Sequence, residues 1–491
     1  MLCSSVIVLS YHFMSVSSSS SSPDNNKSTA RQSWWATLQA SVSGEQYDYT
    51  SGPLSRAIAM LAIPMVLEMA MESLFAICDI FWVSKLGSDA TAAVGLTESV
   101  LTLYYAVAVG LSIAVTATVA RRIGEKKPEA AAKAGAQALY VGLAVGVLTG
   151  VLCYGVAPKI LGLMGASSEV IAIGSGYTRV ILTANVVILL LFLNNAIFRG
   201  AGDPALAMRA LWLGNGVNIV LDPCLIFGWG FFPEIGLTGA ALSSVIGRSV
   251  AVFYQFYHLS KRTSRVALTR AALQPDLPIM NRLVRVSIGG IAQMLVATSS
   301  WVVLMRLMAT FGSVTLAAYT IAIRIIIFTI LPSWGLSNAA ATLVGQHLGA
   351  KLPDRATKAV WLTGLYNMAF LAIIMVSFLV FGEGFMRLFS DDPEIIRIGV
   401  QCLHVFAYGY LFYGWGMVLT QAFNGAGDTL TPTWLNLFAF WMFQIPVAYL
   451  LALQLEWGPR GVFWAVITSD ILLTAMAVVV FLRGRWKRRE V

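Results

Sequence analysis

This sequence repeats itself at one fixed interval, and few folds can satisfy that. Gly200-Ala201-Gly202-Asp203 returns as Gly425-Ala426-Gly427-Asp428, 225 residues on. The same shift carries Gly87-Ser88 onto Gly312-Ser313 and Gly110-Leu111-Ser112 onto Gly335-Leu336-Ser337. It also carries Gly124, Lys126, Pro128 and Lys133 onto Gly349, Lys351, Pro353 and Lys358. Repetition over this length means two copies of one structural unit. The apolar runs say what the unit is. Twelve stretches reach about 20 residues, enough to cross a hydrocarbon core of about 30 Å. They run roughly 57–84, 93–119, 130–155, 170–198, 205–227, 236–259, 284–310, 316–343, 357–382, 395–422, 430–454 and 461–483, and are called spans 1 to 12. Six fall in each copy. An even number brings the chain back to its starting side, so the copies insert in the same sense, related by an axis along the membrane normal. The expected fold class is therefore all-α integral membrane: twelve transmembrane helices as two parallel six-helix lobes around a central cavity.

The charges orient this bundle. Only 12% of residues are charged, about half the share of a soluble chain. One side carries the N-terminal segment, the tail and the loops after spans 2, 4, 6, 8 and 10. It holds 24 of the 33 Lys and Arg, among them Arg121, Arg122, Lys126, Lys127, Lys261, Arg262, Arg265 and the cluster from Arg485 to Arg489. The other side holds five: Lys85, Lys159, Arg387, Arg397 and Arg460. The positive-inside rule puts both termini in the cytoplasm of a multi-pass plasma (inner) membrane protein. The net charge of +9 is then a topology signal. Spread over short loops, it does not form a nucleic-acid surface, and no nucleic-acid partner is expected. Residues 1–52, with the serine run Ser17 to Ser22, are expected to be a disordered cytoplasmic segment; Met14 competes with Met1 as the start. The N-lobe covers 53–260, a cytoplasmic linker 261–283, the C-lobe 284–483 and a basic cytoplasmic tail 484–491. Cys3, Cys78, Cys153, Cys224 and Cys402 form no metal-spacing pair and read as small core residues.

A carboxylate at the centre of a span costs about 3 kcal/mol, so its position is informative. The first copy carries Glu68, Glu72 and Asp79 in span 1, Glu98 in span 2 and Asp222 in span 5. Spans 7 to 11 carry none, and span 12 has Asp470. Asp79 corresponds to Leu304 and Asp222 to Val447, so the repeat kept the frame and left the acids in one lobe. At about 100° per residue, Glu72 falls about 40° and Asp79 about 20° from Glu68. The three share one stripe, which must face the bundle interior. Like charges this close favour a shared proton or a bound cation. Pro64, one turn before Glu68, removes a backbone hydrogen bond and makes either a hinge or a static kink.

Span 5 holds a second constellation. Asn218 and Asp222 are four residues apart and share a face, with Asn215 one turn earlier. Pro223 cannot donate to the carbonyl of Ile219, which is left free beside that stripe. A carboxylate, an amide oxygen and a free carbonyl are hard ligands for a small cation; a hydrogen-bonded polar kink is the other reading. Arg179, Arg248, Arg306 and Arg324 lie within the spans. Snorkelling is the default for them, with Glu98 or Asp470 as alternative partners. Aromatic residues crowd span 10, where Tyr408 and Tyr413 are candidates to line a cavity. Trp229, Phe231, Phe232 and Trp457 read as interface belts. The four histidines are dispersed, and no GxSxG, Walker or HExxH pattern occurs. No enzyme activity and no cofactor are expected, and an ion gradient is the expected energy source.

Several of these segments resemble the multidrug and toxic compound extrusion (MATE) family, in its DinF-like branch. The resemblance covers about residues 53–483. It rests on Pro64, on Cys78-Asp79-Ile80-Phe81-Trp82-Val83-Ser84-Lys85-Leu86-Gly87, on Phe198-Arg199-Gly200-Ala201-Gly202-Asp203-Pro204, and on Asn218 through Asp222-Pro223. In the second copy it rests on Ala318-Tyr319 through Arg324, on Gln346-His347-Leu348-Gly349 and on Phe423-Asn424-Gly425-Ala426-Gly427-Asp428. The resemblance implies alternating-access antiport of H⁺ or Na⁺ against amphipathic, often cationic, small molecules. It puts the cation or proton site at Asp79, Asn218 and Asp222, which is also the candidate Na⁺ site. Ser244 stands where the family more often has Thr, and Glu72 where DinF-like relatives often carry Gln. Pro64 and Pro223 are the candidate hinges; Glu68 and Asn215, with Tyr408 and Tyr413, the candidate cavity lining. No acid occupies span 7 near Ala297 and Thr298, so no second-lobe coupling site is expected. The partners are the lipid bilayer and an amphipathic small molecule, and the chain is expected to act as a monomer. The alternative is a flippase for lipid-linked intermediates, whose cavity should be basic.

Overall fold

The computed structural model describes residues 34–261 and 264–489, which among themselves form helices and no strand. In chain order these are α1 (Trp34–Ser43), α2 (Leu54–Ser84), α3 (Ser88–Gly124), α4 (Pro128–Leu163), α5 (Ser168–Thr183), α6 (Asn185–Ala201) and α7 (Pro204–Phe227). There follow α8 (Leu237–Ser260), α9 (Leu277–Ala309), α10 (Ser313–Gly349), α11 (Pro353–Arg387), α12 (Pro393–Gly425), α13 (Leu430–Gln454) and α14 (Pro459–Leu482). Eleven of them are long and apolar enough to cross a membrane, and α5 with α6 makes a twelfth span bent by 42°.

That bend departs from the expected single run 170–198. The chain leaves helical geometry at Ala184, where ψ is 10°. No proline is present there. Gly150 of α4 brings its backbone against the Thr183 carbonyl, and Asn185 is buried just past the break, so close packing and a buried amide accompany the bend. The expected run 430–454 is also irregular. It widens to π-type turns at Leu437–Gln444 and Leu450–Gln454, on either side of Pro446. Pro446 has no N–H to close an ordinary turn, and wider turns offer the preceding carbonyls other donors.

The repeat has a physical meaning at the centre of the molecule. α2 packs on α10, and α9 packs on α3. The first helix of each copy thus lies on the second helix of the other. The repeated glycines mark these crossings. A Cβ on Gly335 would strike the backbone at Met65, and one on its counterpart Gly110 would strike Ile291. At one end of the bundle, Gly124 of α3 faces the Gln346 carbonyl and Gly349 of α10 faces the Arg121 carbonyl. Overpacking typically costs about 1–3 kcal/mol, and here the obstacle is backbone, which cannot rotate away. Gly349→Val is therefore expected to lower the thermal unfolding midpoint in detergent. Gly155→Ala, where an added Cβ meets nothing within 4 Å, should leave it unchanged. Equal midpoints for both variants would refute this account of the crossing.

Two expectations for the non-spanning segments need correction. Of the supposedly disordered 1–52, residues 1–33, including Ser17 to Ser22, Met1 and Met14, lie outside the described residues. Residues 37–52 are ordered and bonded to the helix ends. Asp48 accepts from the Thr50 hydroxyl at 2.6 Å, from its amide at 3.0 Å and from Ser51 at 3.0 Å. The Thr50 bond holds the Asp48 carboxyl below its usual range, against the opposing effect of partial burial. Tyr49 is 2% exposed. Its hydroxyl donates to Gly202 O at 3.0 Å, and its carbonyl lies 3.0 Å from His347 Nε2. Arg265 donates to Tyr47 O at 2.9 Å, and Arg355 to Ser51 O at 2.9 Å. The linker 261–283 is shorter than expected, because α9 starts at Leu277 with Asp276 capping the Ile279 amide. Gln137 of α4 ties the rest of it down, donating to Gln274 O at 3.0 Å and accepting from Asp276 N at 2.9 Å. Arg262, counted among the orienting charges, lies outside the described residues. In the basic tail, Trp486 is buried and stacks on Phe481 with ring centroids 4.7 Å apart.

These dockings obey the repeat. Each Gly-Ala-Gly-Asp segment ends a helix with a left-handed glycine, Gly202 at φ 81° and Gly427 at φ 81°. The first turn is met by Tyr49 of the amino-terminal segment. The second is met by the tail, where Arg489 lies 3.2 Å from Asp428. Each copy thus has its own end of the chain laid over the same turn.

Candidate functional site

α7 presents Asn215, Asn218 and Asp222 along one face, as their three- and four-residue spacing requires. α8 crosses it closely: Gly247 touches Gly214 and Asn218, with no room for a Cβ. That contact brings Ser243 and Ser244 to the α7 acid. Asn218 Nδ2 lies 3.1 Å from Ser244 Oγ, 3.3 Å from Ser243 Oγ and 3.4 Å from Asp222 Oδ1. Ser243 also donates to Asp222 Oδ1. One carboxylate oxygen is thus fully engaged. The other, Asp222 Oδ2, is buried and makes no hydrogen bond to a described residue; the same holds for Asn218 Oδ1. Two acceptors without donors, one of them a carboxylate oxygen, are costly in a buried setting. What they lack is a proton or a cation.

α2 supplies the facing wall. Asp79 is half-buried and has Asp222, Glu98 and Arg248 as its charged neighbours. Glu72 accepts from Asn215 Nδ2 at 3.1 Å. The structure therefore brings together Glu72, Asp79, Asn215, Asn218, Asp222 and Ser244. Pro223 sits in the same turn of α7 as Asp222, and Pro64 is buried within an unbroken α2. Among the described residues no three His, Cys, Asp or Glu converge as a metal-binding set. A cation at this site would rely on two carboxylates with amide and hydroxyl oxygens, a hard, weakly charged set that suits H⁺ or Na⁺ better than a transition metal.

Glu68 departs from the expected cavity lining. It is 1% exposed and ion-paired with Arg199 of α6. Asn195 donates to it at 3.2 Å, and Gln255 donates to Asn195 at 2.6 Å. One of its carboxylate oxygens is thus committed to this polar cluster, while Oε2 is buried without a hydrogen-bond donor among the described residues. Neither span-10 tyrosine joins the acids. Tyr413 stands beside Asp470 of α14, and Tyr408 is on an exposed face with Phe412. Five residues apart, the two lie on different faces of α12, which a run so rich in aromatics did not reveal.

Three further residues take part, none of them among the candidate site residues. Ser243 was overlooked beside Ser244, though adjacent hydroxyls on a helix opposite an acid are a visible signal. Arg199 reads in sequence as a loop charge, and Arg248 as a snorkelling side chain with Glu98 or Asp470 as alternative partners. Arg199 lies four residues after Asn195, and Arg248 four after Ser244, so each shares a face with a site residue. Glu98 has Arg324 of α10 and Arg248 as cationic neighbours, the pairing that had stood as the alternative.

Comparison with known proteins accords with this architecture. A family model described as MatE matches residues 64–224 and 290–450, one match in each copy of the repeat. The chain is 24% identical over 444 residues to a probable multidrug resistance protein NorM of Thermotoga maritima, covering 89% of this chain and 94% of that one. It is 22% identical to the multidrug export protein MepA of Staphylococcus aureus, covering 89% and 96%. Among solved structures, a MOP superfamily transporter from Pyrococcus furiosus superposes with a TM-score of 0.84 at 26% identity, covering 90% of this chain and 98% of that one. A MATE protein solved in a straight conformation gives 0.82 at 28%, covering 89% and 96%. One solved in a bent conformation gives 0.81 at 27%, covering 91% and 96%.

Proposed function

The chain belongs to the MatE family, a two-lobe assembly of twelve membrane-spanning helices, and from that premise we propose that it exports amphipathic, often cationic, small molecules in exchange for H⁺ or Na⁺. The relatives named as multidrug resistance and multidrug export proteins support the export of drugs. The coupling reading rests on one observation: Asp222 Oδ2 and Asn218 Oδ1 are buried without donors, with a second acid, Asp79, as an electrostatic neighbour of Asp222. With the site open outward, the coupling ion enters and satisfies these oxygens. Its charge removes the attraction that the same carboxylates exert on a cationic cargo, and the cargo leaves. The ion shifts the equilibrium between outward and inward states only as far as it binds them unequally. Pro64 would supply the bend in α2 that goes with occupancy. Matched MATE proteins have been solved in a straight and in a bent conformation, which is compatible with a bend of this kind. We place both termini in the cytoplasm of the plasma membrane, on the charge asymmetry of the loops, and take the working unit to be a monomer. A flippase for lipid-linked intermediates is disfavoured, because the carboxylates of Asp79 and Asp222 would repel a pyrophosphate.

The test is uptake of a fluorescent lipophilic cation into proteoliposomes, with a pH gradient and a Na⁺ gradient imposed separately. Accumulation against one of the two gradients is expected. No accumulation under either would overturn the antiport reading.

A further inference from the structure

The site described above contains a cation of the protein's own. Arg248 projects from α8 one turn from Ser244, on the same face, and is half-buried. Its Nη2 lies 3.4 Å from Tyr105 Oη of α3, and its guanidinium carbon 6.0 Å from the ring centroid of Phe75 of α2. Phe75 is three residues after Glu72 and four before Asp79, so it lies between the two acids on the α2 stripe. A guanidinium over that ring is therefore flanked by both carboxylates. Glu72 and Asp79, with Tyr105 and Tyr177, are its electrostatic neighbours, and Glu98 feels it from α3. Yet among the described residues Arg248 closes no ion pair within 4.0 Å, whereas Arg199 locks onto Glu68. Arg248 is thus shared among several acids and bound to none.

We propose that Arg248 is a tethered counter-cation that occupies the cargo's charge site when no cargo is there, and so sets how tightly a lipophilic cation can bind. This rests on the export of cations proposed above. A cargo cation must displace the guanidinium from between Glu72 and Asp79. The opposing charge weakens cargo binding enough to permit release, and it favours cargoes with a bulky apolar body that Phe75 and Tyr105 can cover. Neutral amphipaths gain nothing at this position.

The test is binding of tetraphenylphosphonium to the full-length purified protein in detergent, by isothermal titration calorimetry. Arg248→Gln is expected to tighten binding about tenfold, the factor given by about 1.4 kcal/mol of removed repulsion. Arg248→Lys should stay close to wild type, and an uncharged amphipath of similar size should bind both proteins equally. A merely structural arginine would not produce this dependence on ligand charge. Unchanged or weaker binding of the cation by Arg248→Gln, with wild-type binding intact, overturns this inference alone. Binding by neither protein overturns the cation-export reading and this inference together. Binding by the variant only supports it. Should Arg248→Gln not be monodisperse, Arg248→Met replaces it, with the same outcomes.

Discussion

Asp222→Asn protein is expected to reach the membrane at wild-type levels and to lose gradient-driven transport. Asparagine has the shape of the aspartate, and its Oδ1 can still accept from Asn218 and Ser243, the partners of Asp222 Oδ1. What it lacks is the second anionic oxygen, the one left without a donor in the structure. It can neither take a proton in the physiological range nor offer a charge to Na⁺. Coupling free energies between sites are typically about 1–3 kcal/mol, a factor of about 5–150. Removing the charge should erase that factor, so accumulation under a gradient falls to the level of protein-free vesicles. Asp79→Asn should behave alike, because the two acids act on one ion. Binding of a cationic drug without a gradient should weaken in both but remain measurable, because Glu72 and the remaining aspartate still attract it. Wild-type accumulation by both variants would remove the coupling site from this lobe.

The second large effect concerns folding. Arg199→Ala leaves the Glu68 carboxylate, 1% exposed, without a counter-ion. Breaking a buried pair from one side typically costs about 3–5 kcal/mol. Glu68→Gln should cost less. The amide can still pair with Asn195, and Arg199, with a side chain 19% exposed, can turn toward water. The double change Glu68→Gln with Arg199→Gln should recover most of the loss, since no charge is then buried alone. Thermal unfolding in detergent, followed by size-exclusion chromatography, should rank Arg199→Ala below the other two. If Arg199→Ala unfolds with the wild type, the pair contributes nothing and Glu68 is neutral in the fold. Arg199 also anchors the contact between copies, because Thr342 of α10 donates to its carbonyl at 3.1 Å.

The candidate site divides along a clear line between what sequence showed and what it did not. Asn218 with Asp222 could be read directly, because residues four apart on a helix must share a face. The α2 stripe could be read for the same reason, though its three acids have three fates. Glu72 bonds Asn215, Asp79 has Asp222 as an electrostatic neighbour, and Glu68 turns to Arg199. A helical wheel puts all three on one side and says nothing about which neighbouring helix each will meet. The roles of Ser243 and Arg248 could not be fixed from sequence, because they depend on how closely α8 crosses α7. That distance is set by Gly214 and Gly247, two glycines 33 positions apart. The strap at Tyr49 escaped notice because its composition is that of a loop, and its order comes from Gly202, His347 and Arg355, at remote points of the chain.

By itself the sequence determined the number of spans, their duplication, and the face on which each helix carries its polar groups. These follow from hydrophobic length and from the 3.6-residue period, both local properties of the chain. Only the tertiary structure decided which acids face an open acceptor, which are neutralised by arginine, and how the ends of the chain lie over the repeated turns. Those outcomes depend on the rotation, tilt and spacing of helices hundreds of residues apart, fixed by close backbone contacts such as those at Gly124 and Gly349.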